Sequence, residues 1–414
     1  MGNSLKYAVV LISVLSILQC SKGPLDQSRQ PPRALSAAEE NLVDSGNKFG
    51  FKLFREIVQA EPDRNIFISP LSVSMALGMA YNGADGTTLE AMDSTLELSG
   101  IDIQEVNESY QSLIDLLMGL DPEVTFQIAN SMWYRQGFPV VRTFIDRIET
   151  YFYAVVDDLD FYDPASADII NDWVDQNTNG KITEIVDPPI DPFTVMFLIN
   201  AIYFNANWTY QFDEEDTQED LFTLPDGSQR ACWMMFQEDE FRFLWHEDFQ
   251  AVDLPYGDGL FSMTILLPRS HVDIDALIAD LNQENWDIWI NDFYEEPGAL
   301  FLPKFSLEYE ILLKDVLTAL GMGIAFNPDL ANFGQMIEPG GIVEGNLYIT
   351  RVKHKTFIEV DEAGTEAAAV TSVGFGATSG PPVLRINRPF IFMIRENHSQ
   401  TILFMGKIVE PTTG

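Results

Sequence analysis

Apolar residues recur at near-helical spacing along the first half of the chain. Residues 38–60 carry them on one side, which predicts an amphipathic first helix. The Ser69-Pro70 pair interrupts the next apolar segment, and Gly83 and Gly86 end the short helix that follows. Beyond the first helix, further helices are predicted over 71–79, 89–98, 110–119 and 166–178.

Strand-like patterns are concentrated in the second half. Strands are predicted over 125–134, 195–204, 251–254, 261–267, 300–307, 357–360, 383–386, 390–394 and 402–407. The turn-like Glu396-Asn397-His398 joins the last two, which indicates a buried hairpin. Helices followed by strands are typical of an α+β fold with large antiparallel or mixed sheets, not of a βαβ alternation.

The first 38 residues differ from the rest. Lys6 precedes an apolar run that is too short for a typical spanning helix and fits a signal peptide. Ile17-Leu18-Gln19-Cys20 resembles a bacterial lipobox, although Gln19 replaces a small residue. We expect residues 1–20 to direct export, with secretion or a lipid anchor at Cys20 as alternatives. Residues 21–38, which contain three prolines, are expected to form a flexible tether.

Composition indicates one large folded domain after the tether. The chain has 414 residues, of which 46% are hydrophobic and 12% aromatic, so it can bury a large core. No linker-like stretch follows residue 40 and no repeat is evident, so residues 39–414 are predicted to form a single domain.

Acidic residues outnumber basic ones by 63 to 24, for a net charge of −39. Such a charge repels nucleic acid and polyanions, so neither nucleic acid nor heparin is expected as a partner. Because the acidic residues are spread along the chain, a solvated surface is the favoured interpretation and a specific basic partner the alternative.

Motifs of the common enzyme classes are absent from the sequence. There is no Gly-x-Ser-x-Gly, His-Glu-x-x-His or phosphate-binding glycine loop, and no histidine lies at metal-ligand spacing from another histidine or cysteine. We therefore expect no catalytic residues, metal or cofactor. His354 is a candidate base, but a structural hydrogen bond is the favoured role. Cys232, beside Trp233, is expected to be a small core residue.

Five motifs, in order along the chain, resemble the signatures of the serpin family of serine protease inhibitors. They are Asn65-Ile-Phe-Ile-Ser-Pro-Leu-Ser through Gly83-Ala84-Asp85-Gly86, Asn200-Ala-Ile-Tyr-Phe-Asn-Ala-Asn-Trp208, Glu359-Val-Asp-Glu-Ala-Gly-Thr-Glu-Ala-Ala-Ala-Val-Thr371, Asn387-Arg-Pro-Phe-Ile-Phe392 and Leu403-Phe-Met-Gly-Lys407. Any one could arise by chance, whereas five in the family's order could not reasonably do so.

The resemblance implies a fold and a mechanism. The fold is three β-sheets with eight or nine helices and an exposed reactive-centre loop over about 362–384. In the mechanism, a serine protease cleaves the loop and is held as a covalent acyl complex while the loop inserts as a new strand into the central sheet. The protein would be an inhibitor and not an enzyme, would act as a monomer, and would have the target protease as its partner.

The resemblance also assigns roles to individual residues. Ser69, Ser72, Asn200 and His354 match the shutter, a hydrogen-bonded set beneath the central sheet. Trp208 matches the breach, where the loop first enters. Residues 101–120, where heparin-binding members carry basic side chains, contain no Lys or Arg. The hinge of the loop matches Glu362, Gly364, Thr365, Glu366, Ala367, Ala368, Ala369 and Thr371.

The loop sequence suits strand insertion. Residues 365–371 are small and contain no proline, which would remove a ladder donor. At period two, the face that begins with Thr365 and continues through Ala367 and Ala369 carries no charge, while Glu366 falls on the other face. A flexible glycine-rich surface loop is the bland alternative.

Two counts locate the reactive bond. Sixteen residues after Glu362, and eleven before Pro389, both give Thr378, so cleavage is predicted at Thr378–Ser379 within about one residue. The absence of Lys and Arg between Gly364 and Arg385 argues against trypsin-like targets, and small residues favour elastase-like or subtilisin-like proteases. Cleavage at Phe375 is expected to give turnover as a substrate. A non-inhibitory serpin-fold carrier and an unrelated exported protein are the alternatives.

Overall fold

The computed structural model describes residues 32–341, 346–365 and 382–412. Those ranges contain nine α-helices: α1 (Ala37–Ala60), α2 (Pro70–Tyr81), α3 (Gly86–Thr95), α4 (Ile103–Leu117), α5 (Arg142–Tyr151), α6 (Ala165–Asn177), α7 (Ile274–Ala279), α8 (Gln283–Asn291) and α9 (Lys314–Ala319). The first helix begins at a capping box, in which the Glu39 amide donates to Ser36 Oγ and the Ser36 amide donates to the Glu39 carboxylate.

The same ranges contain fifteen strands, which run from short bridging pairs to a 17-residue strand. They are β1 (Ile66–Ile68), β2 (Val124–Arg135), β3 (Val155–Leu159), β4 (Met196–Asn207), β5 (Gln218–Thr223), β6 (Gln229–Trp245), β7 (Phe249–Tyr256), β8 (Phe261–Pro268), β9 (Tyr294–Pro303), β10 (Phe305–Leu312), β11 (Lys353–Val360), β12 (Gly364–Thr365), β13 (Val383–Arg385), β14 (Phe390–Glu396) and β15 (Ile402–Ile408).

The described strands form three sheets. The largest has the order β1-β15-β14-β8-β7-β6-β9-β13, with β5 also paired to β6. A four-stranded sheet has the order β12-β4-β2-β3, and β10 pairs with β11 in a two-stranded sheet. Most pairs are antiparallel, but β2–β3 and β13–β9 are parallel. The predicted α+β class with mixed sheets is therefore confirmed.

Helix α2 occupies the centre of the molecule, where it contacts both β4 and β15. All but one of its residues are buried, because this helix is apolar on every side. Aromatic rings join the sheets around it: Phe404 on β15 stacks on Phe67 at 5.1 Å and meets Phe204 of β4 edge-on at 6.3 Å. The core therefore couples the four-stranded sheet to the largest sheet.

A smaller apolar cluster covers the opposite face of the four-stranded sheet. Helix α6 packs there, with Ile170 and Val174 against Trp133 of β2 and Ile199 of β4. The segment that follows α6, residues 178–195, continues the same packing through three buried side chains: Ile182, Val186 and Ile190.

Several sequence expectations differ from the structure. The predicted strand 300–307 is two strands, because the chain leaves the largest sheet at Pro303 and enters the two-stranded sheet at Phe305. Helix α1 begins at Ala37, so the last residues of the predicted tether are helical. Among the described residues, the sequence patterns did not predict the elements α5, α7, α8, α9, β1, β3, β5 and β6.

A buried ion pair in the largest sheet gives a stability prediction. Arg395 Nη2 donates to both carboxylate oxygens of Asp253, at 2.9 and 3.1 Å, and both side chains are 2% exposed. Replacing Asp253 by alanine leaves a buried guanidinium without its partner, so we expect a loss of about 3–5 kcal/mol in the free energy of unfolding. Urea or thermal denaturation followed by circular dichroism measures it.

The matched control is Glu149→Ala, which breaks the solvent-exposed Arg142–Glu149 pair at 2.8 Å. Exposed pairs contribute roughly 0–1 kcal/mol, so this variant should unfold almost as the parent does. Equal losses of unfolding free energy in the two variants would show that the buried pair does not stabilise the protein more than the exposed pair does.

Candidate functional site

A slot separates β4 from β11. Strand β4 pairs with β2 along one edge, and β11 pairs with β10 along one edge. The other edge of β4 is paired only at Ala206 and Asn207, and no hydrogen bond between described residues joins β4 to β11. We use the word slot for this gap between the two facing edges. Its edges carry backbone donors and acceptors that a further strand could satisfy.

The slot contains a cavity of about 1500 Å3. Residues 195–202 of β4 and its approach line one side, and residues 346–356 of β11 and its approach line the other. The floor is α2, through Ser72, Val73 and Ala76, and the 178–195 segment lies on the outer side. The cavity is therefore elongated along the two strands, with a helix below and a loop above.

The chain reverses sharply at the top of the slot. After β11, Asp361 Oδ1 accepts hydrogen bonds from the amides of Ala363 (3.0 Å) and Gly364 (3.2 Å). The chain then runs back as β12, antiparallel to β4, with Gly364 opposite Asn207 and Thr365 opposite Ala206. Gly364 has φ of +140°, and a Cβ there would lie 2.4 Å from the Ala206 carbonyl oxygen. Only glycine fits this close approach.

Three of the four predicted shutter residues form one hydrogen-bonded group under the slot. The Ser69 amide donates to His354 Nε2 at 3.0 Å, and Ser69 Oγ donates to the Leu403 carbonyl at 2.7 Å. Ser69 also caps α2, since its Oγ accepts the Ser72 amide at 3.2 Å. These contacts tie the first turn of α2 to β11 and β15.

Asn200 joins this group through its backbone rather than its side chain. Ser72 Oγ donates to the Asn200 carbonyl at 3.4 Å, while Asn200 Nδ2 donates to Asn130 Oδ1 at 2.9 Å. Asn200 Oδ1 is buried and has no hydrogen-bond partner among the described residues. The four predicted residues thus lie together, and Asn130 is an additional member that the sequence did not indicate.

Burial keeps His354 neutral. The side chain is 6% exposed, and desolvation lowers its pKa from the ordinary 6.5 to about 4. Because Nε2 accepts the Ser69 amide, the neutral ring carries its proton on Nδ1. The structural role favoured from the sequence fits this geometry, which offers no reacting group beside the ring.

Trp208 holds the turn above the slot. Its amide donates to the Ala363 carbonyl at 2.8 Å and its indole Nε1 donates to the Asp361 carbonyl at 3.0 Å. The indole stacks on Tyr256 with ring centroids 4.4 Å apart. The predicted breach residue thus contacts the chain where it leaves β11 and begins to run along β4.

Glu362 is fixed in the same turn by a buried ion pair. Lys304 Nζ donates to Glu362 Oε2 at 2.6 Å and Thr217 Oγ1 donates to Oε1 at 2.7 Å. Burial alone would raise the pKa of this carboxyl group, but these hydrogen bonds and the Lys304 charge outweigh it, so the pKa is lowered. Lys304 and Thr217 were not indicated by the sequence, since they lie 58 and 145 residues away.

The remaining predicted residues lie outside the described ones. Cys20, the hinge residues Glu366, Ala367, Ala368, Ala369 and Thr371, and the bond Thr378–Ser379 are in this group. Cys232 is half-buried on β6 rather than fully in the core, and burial, with the nearby Asp220 charge, raises its thiol pKa to about 11. None of the described helices is both long and apolar enough to cross a membrane.

A family model described as serpin (serine protease inhibitor) matches residues 44–411, nearly the whole described domain. The chain belongs to the serpin family. Human neuroserpin is 33% identical over 388 residues, which cover 91% of this chain and 92% of neuroserpin. The expected serpin fold is therefore confirmed, with three sheets and nine helices in the described residues.

Solved structures of serpins resemble the whole domain. The thermophilic serpin tengpin in its native state has a TM-score of 0.82 at 32% identity, over 92% of this chain and 96% of tengpin. Human thyroxine-binding globulin has the same TM-score at 28% identity, over 91% of this chain and 100% of its own. A serpin fold thus occurs both in a family of protease inhibitors and in a hormone-binding protein.

The depressed pKa of His354 gives a pH prediction. His354 binds a proton near pH 6.5 in the unfolded chain but only near pH 4 in the folded chain. The native state therefore keeps its full stability above pH 6.5, and it loses stability as the pH falls towards 4. The loss from this one group is roughly 3 kcal/mol. In His354→Gln, which cannot be protonated, we expect a shallower decline in thermal midpoint between pH 7 and 4.5.

Carboxylates titrate over part of this range, so the informative quantity is the difference between the parent and the variant. His271→Gln is the control, since His271 is exposed. Parallel pH profiles for the parent and His354→Gln would show that protonation of His354 does not destabilise the native state.

Proposed function

We propose that this serpin inhibits serine proteases as a single-use trap, in which the cleaved loop enters the slot between β4 and β11. The observation that carries the proposal is β12. Gly364 and Thr365 already pair with the last two residues of β4, and they point the following chain along the unpaired edge. The proposal extends this existing register.

The register assigns a partner to each inserted residue. Since Thr365 lies opposite Ala206, Ala369 would lie opposite Ile202, Thr371 opposite Asn200 and Phe375 opposite Met196. Strand β4 begins at Met196, so residues 365–375 would fill its free edge from end to end. The segment predicted from the sequence has the length that the slot requires.

In the same register, the uncharged face of the loop would lie on the core. Antiparallel partners point to the same side of a sheet. Ala206 and Phe204 face the main core, so Thr365 and Ala367 would do so as well. Glu366 would lie opposite Asn205, which is partly exposed. A small side chain is needed where Thr371 would lie opposite Asn200, because Ser72 of α2 contacts the Asn200 carbonyl at 3.4 Å.

Insertion would release a large free energy. A strand between β4 and β11 would form about ten to fifteen backbone hydrogen bonds at roughly 1 kcal/mol each, or of order 10 kcal/mol in total. It would also cover the apolar walls of the cavity, and burying this apolar surface would add to the favourable free energy. This energy would draw a covalently attached protease away from its docking position and distort it.

Cleavage is required before the slot can fill. Ten residues of strand would carry residue 375 about 33 Å from Thr365, whereas the seven residues 376–382 can reach at most about 28 Å. Their far end is held in β13, which pairs with β9 of the largest sheet, and the Thr223 amide of β5 donates to the Asn387 carbonyl that follows β13. The intact loop would therefore be restrained, and the cut loop free.

In the chemical step, the serine hydroxyl of the protease attacks the Thr378 carbonyl. The Thr378–Ser379 peptide bond breaks, the new amine leaves on Ser379, and an ester joins Thr378 to the protease. Insertion before water hydrolyses this ester gives the trapped complex. The small residues at this bond suit shallow specificity pockets, so elastase-like and subtilisin-like proteases are the proposed targets.

We propose export to go with this function. Residues 1–20 would be removed, and Cys20 would either carry a lipid anchor or begin a secreted chain. The mass of the mature N-terminus, compared with that of Cys20→Ser, distinguishes the two: lipidation adds acyl groups in the parent that the variant lacks, and secretion gives no such difference.

The decisive prediction is a covalent complex. Mixing the protein with pancreatic elastase or subtilisin should give a band on a denaturing gel at the summed mass. Mass spectrometry should find a released C-terminal peptide that begins at Ser379. Cleavage without a complex, by these enzymes and by a chymotrypsin-like one, would contradict inhibition and favour the carrier alternative.

Two loop variants test the insertion step itself. Ala369→Glu would place a charge opposite Ile202 on the buried face, so the loop should still be cleaved but the complex should be lost. Glu366→Gln alters the opposite face, and it should form the complex as the parent does. If Ala369→Glu formed the complex unimpaired, insertion in the proposed register would be wrong.

A further inference from the structure

The segment between α6 and β4, residues 178–195, lies across the slot. We call it the connector. Its residues Ile182, Ile185 and Val186 line the cavity on the side opposite α2. A strand that enters the slot therefore passes between α2 and the connector. Either the connector must lift from β11, or β11 must move away from it.

Apolar packing fixes the connector to the β4 side. Ile182, Val186 and Ile190 are buried against Trp133 and Ile199 of the four-stranded sheet. Asn171 of α6 adds three hydrogen bonds: Nδ2 donates to the Val186 carbonyl at 2.8 Å, and Oδ1 accepts the amides of Ile185 and Val186 at 2.9 Å. On this side the connector is part of the sheet's own packing.

Between described residues, the connector is attached to the β11 side by contacts of a few charged side chains. Asp187 accepts Lys353 Nζ at 2.8 Å on one carboxylate oxygen and Arg351 Nη1 at 2.6 Å on the other. At the far end of β11, Lys181 lies 3.6 Å from the Glu359 carboxylate and 4.9 Å above the Phe357 ring. The connector thus crosses the slot near both ends of β11.

Asp187 makes the stronger of the two attachments. Its two partners lower its carboxyl pKa, first through the hydrogen bond from Lys353, so it is ionised at neutral pH. Lys353 is 8% exposed and also pairs with Glu310 of β10 at 3.2 Å, so the attachment reaches both strands of the two-stranded sheet. Asp187 itself is half-exposed, so the attachment is reversible and sensitive to salt.

We propose that Asp187 is a positioning residue that controls how fast the slot admits a strand. Its ion pairs hold the connector against β11, and breaking them lets β11 separate from β4 while the apolar packing keeps the connector on the four-stranded sheet. This rests on the proposed function, because it concerns the same insertion.

The test measures slot opening without any protease. A fluorescein-labelled synthetic peptide with the sequence of residues 365–376 is mixed with the intact protein, and its incorporation is followed by native gel. Asp187→Asn, which removes the charge at nearly constant shape, should raise the incorporation rate about three- to tenfold. Asp187→Glu keeps the carboxylate and should restore most of the parental rate.

Glu184→Gln is the matched control. Glu184 lies on the same connector, is exposed, and forms no ion pair with a described residue, so the same change in charge should leave the rate unchanged. Higher ionic strength should speed the parent more than Asp187→Asn, bringing their rates together. A merely destabilising substitution would not lose its effect in salt.

Each outcome bears on the proposal. Equal rates for the parent and Asp187→Asn at low salt would overturn it, as would a Glu184→Gln rate that matches Asp187→Asn. Failure of the peptide to enter any of these proteins would overturn both this proposal and insertion as the proposed mechanism. A faster Asp187→Asn together with no protease complex would support the role of Asp187 and refute inhibition.

Discussion

The structure depends on two strand edges that face each other and that no hydrogen bond between described residues joins. A sheet is stabilised when its backbone groups are paired, and within the described ranges no strand lies between the facing edges of β4 and β11. The elements around the slot are arranged about these two edges. The floor is an apolar helix, the cover is a loop, and the turn at 361–363 delivers the chain to the top of the gap.

The ties around the slot differ in how they would respond to an inserted strand. Trp208 and the Lys304–Glu362 pair hold the turn from above, and they can persist because Gly364 and Thr365 already pair with β4. The Ser69–His354 hydrogen bond joins the floor to β11, and the Asp187 pair joins the cover to the same strand. Separation of β11 from β4 would therefore strain the Ser69–His354 hydrogen bond and the Asp187–Lys353 ion pair. The contacts of Trp208 and the Lys304–Glu362 pair would remain in place.

Much of the fold was predictable because local patterns determine it. Helix α1 and strand β2 have clear periodicity, whereas α2, β14 and β15 are nearly continuous apolar runs that are buried along almost their whole length. Strand β6 was missed because its exposed residues Glu238 to Glu240 interrupt the apolar pattern. Helix α5 was missed although Phe144, Ile145 and Ile148 have helical spacing.

The candidate site, like the fold, could be predicted from the sequence only in part. Motif resemblance could identify Ser69, Ser72, Asn200 and Trp208, since each lies in one of the five motifs, and His354, which lies shortly before the hinge motif. It could not identify the partners that give those residues their properties. Lys304 meets Glu362 and Asp187 meets Lys353 across 58 and 166 residues, and nothing in the local sequence of either pair indicates the other.

A gap between strands is equally invisible to sequence patterns. Alternation indicates that β4 and β11 are strands, but it does not say which strands are neighbours. The small side chains of residues 365–371 acquire meaning only beside the slot, where the register of β12 would set Thr371 opposite Asn200 and above Ser72 of α2. A bulky side chain there would have to displace the helix that joins β4 to the largest sheet. The composition of the loop and the position of α2 are thus two aspects of one packing requirement, which favours a strand-accepting site over a surface loop that happens to be rich in alanine.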